Sequence, residues 1–230
     1  MALRLNLGSG DVPIPGFVNL DGLSGAPGVD VVADLAEPLP YDDGSVDLIY
    51  AAHILEHFAT DEVPARLGDW RRVLRPGGVL MVAVPDLDVI ARTLVDRSGW
   101  FTPPNNPWLG LIYGGQKDEY DFHKTGFTAP WLIHLLHAAG FDAARRVDRF
   151  DVPVNDASQS PLPFGRNISL NVVAVAGEEP SSSALLATSR VERLFDPVDA
   201  ALHWSMRFST RARSKVMERR RRGLERTLDA

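Results

Sequence analysis

Two glycines and an aspartate near the start of the chain have the types and spacing of a cofactor site. Gly8 and Gly10 form a Gly-Ser-Gly turn after the apolar stretch 3–7, and such a turn lets the backbone approach a ligand closely. Asp21 follows the next apolar stretch, where a carboxylate can accept hydrogen bonds from both hydroxyls of a ribose. Each signal alone is equally typical of an ordinary turn. In this order they favour a ligand that contains a nucleoside.

A dinucleotide is the first alternative for this turn. Its fingerprint needs a third glycine three residues after the second, followed by a helix. That position is Pro13, and Asp11 would repel a pyrophosphate. These two residues count against a nicotinamide-dependent oxidoreductase.

The elements that must position these residues alternate between strand and helix patterns up to about residue 176. Residues 64–74 and 129–139 have helical spacing, and 75–78 (RPGG) ends the first of these helices. The apolar, β-branched run 79–84 is typical of a parallel strand buried on both faces. The stretch 98–124 shows no clear period, and we predict an irregular loop or lid there. The predicted strands are 3–7, 17–20, 29–33, 46–50, 79–84, 143–150 and 168–175.

Composition divides the chain further. We predict one α/β domain at 1–176 with a lid or acceptor region at 98–128, a linker at 177–190 and a basic helical tail at 191–230. From residue 190 onward the chain has 11 Lys/Arg against 6 Asp/Glu, while residues 1–189 have 13 against 24. The acidic body argues against binding nucleic acid, and the tail can contact an anionic membrane, form a homodimer or remain a solvated helix. Without cysteine or a long apolar run, we expect a cytoplasmic protein, at the inner face of the membrane if the tail binds lipid.

Five segments together resemble the class I S-adenosylmethionine-dependent methyltransferase family, over residues 3–175. The resemblance implies a doubly wound, Rossmann-like sheet of seven strands, mostly parallel with the last strand antiparallel, and S-adenosylmethionine as the cofactor. The segments that carry it are 5–10 (LNLGSG), Asp21, 39–47 (LPYDDGSVD), 53–57 (HILEH) and 72–78 (RVLRPGG).

The same resemblance implies roles for individual residues. Gly8 and Gly10 would face the amino-acid part of the cofactor, Asp21 its ribose, Asp34 and Leu35 its adenine, and 51–53 would border its methionine part. By name, these cofactor residues are Asn6, Gly8, Ser9, Gly10, Asp21, Asp34, Leu35, Ala51 and His53.

The connection between Gly10 and Asp21 departs from the family pattern. Only ten residues separate them, including Pro13 and Pro15, so the long first helix of the family does not fit. A shortened connection is similar to a subgroup associated with sugar and cell-envelope biosynthesis. Aromatic residues and the amides of Asn105, Asn106 and Gln116 in the lid region also favour a glycan or another hydroxyl-bearing acceptor.

Methyl transfer to a hydroxyl needs positioning and a base that removes a proton. His123 is the preferred base, with Asp121 or Glu119 to orient its ring, and His53 is a second candidate. His57 is as well explained by a structural role, and His123 could also be a loop residue that bonds the backbone. A magnesium site of Asp86, Asp121 and His123 is chemically allowed, but no spacing requires it, and we predict no metal. A non-catalytic cofactor-binding or assembly subunit is the alternative function.

Overall fold

The computed structural model describes residues 2–22, 25, 27–95, 107–150, 152 and 167–177. They belong to a unit that spans Met1–Ser181. The predicted tail at 191–230, and all of the predicted linker except Gly177, lie outside the described residues.

Seven strands form one sheet in the order β3-β2-β1-β4-β5-β7-β6. The first five pair in parallel, whereas β7 runs antiparallel to both of its neighbours. The predicted mostly parallel sheet with an antiparallel last strand is confirmed. The strands are β1 (Arg4–Leu7), β2 (Val18–Asp21), β3 (Val31–Val32), β4 (Val46–Ala52), β5 (Leu74–Pro85), β6 (Phe141–Val147) and β7 (Ser169–Ala176).

Within the described ranges, four α-helices and one 3-10 turn (Leu55–His57) lie between the strands. The first helix buries Val63, Leu67 and Trp70, as the helical spacing in the sequence indicated, and Pro64 occupies its first turn. Leu74, predicted on the same face, instead begins β5, and Val73 is the last buried residue of the helix. No helix among the described residues has the length and apolar character that a membrane crossing requires. The helices are α1 (Val63–Val73), α2 (Leu87–Val95), α3 (Pro107–Tyr113) and α4 (Ala129–Ala138).

The two faces of the sheet carry cores of different size, because successive strand residues point to opposite sides. In β4, Ile49 and Ala51 belong to the large cluster that includes α1 and α4, while Tyr50 points to a small cluster on the other side. Ile14, from the short connection between β1 and β2, fills that small cluster together with Phe150. The ten residues that connect β1 and β2 thus help to cover this face of the sheet, although they are too few for the long helix of the family.

Arg72 joins two of the sequence segments that carry the family resemblance. Its guanidinium donates to the carbonyl oxygens of Leu39 and Tyr41 at 3.0 and 2.9 Å and pairs with Asp43 and Asp69. These bonds hold the 39–43 loop against the end of α1, and the hydrogen bonds to Asp43 and Asp69 raise the pKa of Arg72.

Two helices differ from the sequence expectation. Residues 107–113 form α3 inside the stretch predicted to be irregular, so that prediction was wrong for this segment. The second helix, at 87–95, was not predicted; it begins where the buried carboxylate of Asp86 accepts the amides of Asp88 and Val89. Asp86 also pairs with Arg146 at 2.6 Å, which gives it a structural role instead of a place in a metal site.

Candidate cofactor and acceptor site

The Gly-Ser-Gly turn after β1 requires its glycines. Gly8 and Gly10 have φ of +64° and +51°, the left-handed region that L side chains adopt at a cost. A β-carbon on Gly8 would lie 1.8 Å from Cδ1 of Ile54, whereas one on Gly10 would meet nothing within 4 Å. Ile54 therefore fills the space beside Gly8, whereas the space beside Gly10 is open.

Side chains from β1 and β2 hold this turn from beneath. One carboxylate oxygen of Asp21 accepts the amide of Gly10 at 2.8 Å. The buried amide of Asn6 donates to the side-chain oxygen of Asn19 at 2.9 Å, and that oxygen also accepts the amide of Ile14. Asn6 thus stabilises the turn from the protein side.

A cavity of about 480 Å³ lies beside the turn, within the size range of small-molecule sites. The structure brings together on its wall five of the residues predicted to bind the cofactor: Gly8, Gly10, Asp21, Asp34 and Leu35. Among the described residues that line it, we do not find the other predicted ones: Asn6, Ser9, Ala51 and His53.

Asp34 combines two roles. It lines the cavity, and its side chain also accepts the amide of Ala36 at 2.8 Å, which is a local turn bond.

Asp121, predicted as a catalytic residue, also lines the cavity, but most of the remaining wall was not predicted from the sequence. It comprises Ile54, His57, Phe58 and Glu62, which follow β4, together with residues 118–120 and Lys124. The signal was present in the HILEH segment, but its position gave no indication of which side chains face the cavity. Most charged groups around the cavity are carboxylates, which suits a cationic ligand such as a sulfonium.

His123 is fixed against the segment that follows β4. The backbone carbonyl of Glu56 accepts the amides of Lys124 and Thr125 at 2.8 and 3.1 Å. Nδ1 of His123 lies 3.0 Å from the carbonyl oxygen of Leu111, so this nitrogen carries the proton and Nε2 has the lone pair. Burial lowers the pKa of His123, although the charge of Glu56 opposes the shift.

Glu56, and not Asp121, is the carboxylate nearest to this ring. Its side chain is 1% exposed, and its Oε1 lies 4.0 Å from Nε2 of His123. The same Oε1 lies 2.9 Å from Nδ1 of His53, whose Nε2 is 3.0 Å from the hydroxyl of Ser169. Both ring nitrogens of His53 are therefore engaged by protein groups, in a residue whose φ is +56°.

Asp121 shapes the loop that precedes His123. Its carboxylate accepts the amides of Gly115 and Lys117 at 3.2 and 3.4 Å. Burial raises the pKa of Asp121, but these two bonds together with the charges of Lys117 and His57 outweigh it, and the pKa is lowered. Asp121 also lines the cavity.

His123 lines a second cavity of about 260 Å³. Leu87, Ile90, Leu111 and Ile112 give it a mainly apolar wall. Lys124 lines both cavities, so the segment 123–124 forms part of the partition between them.

Comparison with known proteins finds similarity to methyltransferases over part of the chain. Residues 18–82 match the family described as "Methyltransferase domain". The chain is 29% identical over 115 residues to the probable methyltransferase LtbC of Aspergillus luteorubrus, covering 48% of this chain and 36% of that protein. It is 27% identical over 127 residues to the ubiquinone/menaquinone biosynthesis C-methyltransferase UbiE of Bordetella avium, covering 54% and 47%. The chain spans less than half the length of these two curated relatives.

A solved structure shares the fold. The S-adenosylmethionine-dependent methyltransferase of Methanosarcina mazei superposes with a TM-score of 0.50 at 19% identity, covering 76% of this chain and 92% of that one. The described domain therefore shares the fold of this S-adenosylmethionine-dependent methyltransferase, and residues 18–82 are similar to the methyltransferase-domain family.

The turn and its surroundings fit S-adenosylmethionine. The hydroxyl oxygen of Ser9 is buried and has no hydrogen-bond partner among the described residues. The turn therefore contains a polar group that a ligand can hydrogen-bond. The open space at Gly10 and the carboxylates of Asp21 and Asp34 face one cavity, as a nucleoside with a charged amino-acid arm requires.

Proposed function

We propose that the protein transfers a methyl group from S-adenosylmethionine to a hydroxyl group of a sugar, a glycan or a related small molecule. The observation that carries this proposal is the position of His123: its ring, whose Nε2 has a lone pair, lines the second cavity, and the next residue, Lys124, lines both cavities.

The residues of the turn and of the strand ends would hold the cofactor. Gly8 and Gly10 would face its amino-acid part, Asp21 its ribose, and Asp34 with Leu35 its adenine. S-adenosylmethionine supplies a methyl group that is already activated on a sulfonium. The protein therefore has to bind the cofactor and the acceptor, orient them and exclude water. The rate of methyl transfer comes mainly from this positioning.

His123 is the proposed base. Its Nε2 accepts the hydroxyl proton as the acceptor oxygen gains the methyl group, and the carbonyl of Leu111 holds the ring in the required tautomer. Glu56 then stabilises the positive imidazolium across the 4.0 Å gap. We assign His53 to positioning Glu56, because its own nitrogens are engaged.

Polar groups at the mouth of the cofactor cavity support a hydroxyl-bearing acceptor. Asp118, Glu119, Tyr120 and Lys124 offer carboxylates, a ring face and an ammonium group. Such a set can bind the hydroxyls of a sugar and stack on its ring.

Calorimetric titration with S-adenosylhomocysteine and with NAD tests the cofactor assignment. We expect binding of the former and none of the latter, and the reverse result contradicts the proposal. Asp21→Ala should weaken S-adenosylhomocysteine binding at least tenfold, while Asp61→Ala, an exposed aspartate after the 3-10 turn, should not change it.

Methyl transfer to a panel of nucleotide sugars, lipid-linked glycans and quinone precursors, followed by mass spectrometry, tests the acceptor. His123→Ala should lower turnover by about a hundredfold or more and leave S-adenosylhomocysteine binding unchanged. His134→Ala, at an exposed histidine on α4, is the matched control. Binding without transfer to any acceptor would instead favour the non-catalytic assembly subunit.

A further inference from the structure

Glu56 is a buried carboxylate with an unsatisfied oxygen. Its side chain is 1% exposed, and Oε2 has no hydrogen-bond partner among the described residues. Burying an ionised carboxylate is costly unless each oxygen finds a partner. The hydrogen bond to His53 satisfies only Oε1.

Two histidines lie around this carboxylate with nitrogens available. The rings of His57 and His123 meet edge to face, with centroids 4.9 Å apart. Nδ1 of His57 is buried and also lacks a hydrogen-bond partner within the described part of the chain. One ligand atom from each of Glu56, His57 and His123 can be chosen so that all three lie within 4.8 Å of one another.

We propose that Glu56, His57 and His123 form a binding site for a divalent transition-metal ion, with Zn²⁺ as the best fit. Two imidazoles and one carboxylate are a ligand set typical of zinc, whereas Mg²⁺ and Ca²⁺ prefer oxygens alone. Bonds of about 2.1 Å to a tetrahedral ion place ligand atoms about 3.4 Å apart. To bind the ion, the three groups would rotate from their present separation, within 4.8 Å of one another, to that spacing.

The surroundings of the three ligands resemble the outer shell of a metal site. His53 contacts Oε1 of Glu56, and the carbonyl of Leu111 accepts Nδ1–H of His123. Such bonds fix the orientation and tautomer of the ligands. His57 lines the cofactor cavity and His123 the second cavity, so the ion would lie in the partition and keep a coordination position for water or an acceptor.

Metal binding and proton acceptance exclude each other at His123, because both use Nε2. A bound ion should therefore inhibit methyl transfer. This consequence rests on the proposed function, but the metal site itself does not.

Cobalt(II) titration of the untagged, chelator-treated full-length chain tests the site without any methyl acceptor. We expect one ion per chain with visible absorption bands typical of tetrahedral cobalt, which Zn²⁺ displaces. Glu56→Gln, which keeps the size of the side chain, and His57→Ala should each weaken binding at least a hundredfold. His134→Ala should leave it unchanged.

Thermal unfolding and S-adenosylhomocysteine binding of the same variants show whether they fold. If the chain binds no cobalt, or if a folded Glu56→Gln variant binds it as tightly as the parent, the metal site is ruled out. Metal binding by a chain that fails to bind S-adenosylhomocysteine would contradict the proposed function and leave the metal site supported.

Discussion

The hydroxyl of Thr125 lies 2.8 Å from the carbonyl oxygen of Phe58, 67 positions earlier in the chain. Thr125 is buried, and its hydroxyl is also 3.1 Å from that of Thr60. These bonds attach the segment that carries His123 to the segment that carries Glu56 and His57, and so they hold the partition between the two cavities together.

Thr125→Val should loosen this attachment. The substitution preserves the shape but leaves the Phe58 carbonyl unpaired, a loss of about 1–3 kcal/mol in the free energy of unfolding. We expect a lower melting temperature and lower cobalt affinity, measured on the same preparation. Thr125→Ser, which keeps the hydroxyl, should restore both. A Thr125→Val variant with the melting temperature and cobalt affinity of the parent would contradict a role for this hydrogen bond.

The two glycines of the turn should respond differently to alanine. Both substitutions place an L residue at positive φ, which costs about 1–2 kcal/mol. Gly8→Ala adds a collision with Ile54 and should therefore destabilise the fold more in urea unfolding. Gly10→Ala meets no protein atom, so its main effect should be weaker S-adenosylhomocysteine binding, by tenfold or more. A Gly10→Ala variant with unchanged affinity would show that the cofactor does not approach this turn.

The ion pair between Asp86 and Arg146 should contribute to stability. Asp86 is fully buried, and Arg146→Ala removes its charged partner at 2.6 Å. Because the arginine side chain is half-exposed, water replaces part of the interaction, and we expect a loss of about 1–3 kcal/mol. Arg145→Ala, one residue earlier on β6, is the matched control for urea unfolding. Similar losses in the free energy of unfolding for both variants would mean that any such substitution on β6 destabilises the fold, and that the ion pair has no specific role.

Ionised Asp47 should stabilise the fold, so the free energy of unfolding should fall as the pH becomes acidic. Hydrogen bonds from Arg75 and from the amide of Leu3 lower the pKa of Asp47. A lowered pKa in the folded state means that the stabilisation is present above the unfolded value of about 3.9 and is lost as pH falls through the folded value.

Unfolding experiments from pH 7 to pH 2 should therefore show Asp47→Asn less stable than the parent at neutral pH, with the difference disappearing at the acid end. Arg75→Ala should show a smaller change with pH than the parent, since the main cause of the shift is removed. A constant difference between Asp47→Asn and the parent over the whole range would contradict this linkage.

Local patterns allowed much of the fold and half of the site to be predicted. Val63, Leu67 and Trp70 define α1 by spacing alone, and the Gly-Ser-Gly turn with Asp21 indicated the cofactor cavity. Both patterns are local, because the residues that form each of them lie close together in the sequence.

The partition between the cavities could not be predicted in this way. It depends on contacts between Glu56 and the segment 123–125, which tertiary packing brings together across more than sixty positions. Nearness in sequence suggested Asp121 as the carboxylate beside His123, and the loop geometry instead directs Asp121 to backbone amides.

The position of β7 in the sheet has a consequence for synthesis of the chain. Leu80 of β5 pairs with Ala174 of β7. During synthesis, this edge of the apolar strand β5 therefore has no partner until more than ninety further residues have been made. At translation rates of about 5–20 residues per second, that edge stays open for roughly 5–20 seconds on the ribosome. An open apolar edge is a template for aggregation. Nascent chains halted before residue 169 should therefore depend on chaperones, and chains extended past residue 176 should be released from that dependence.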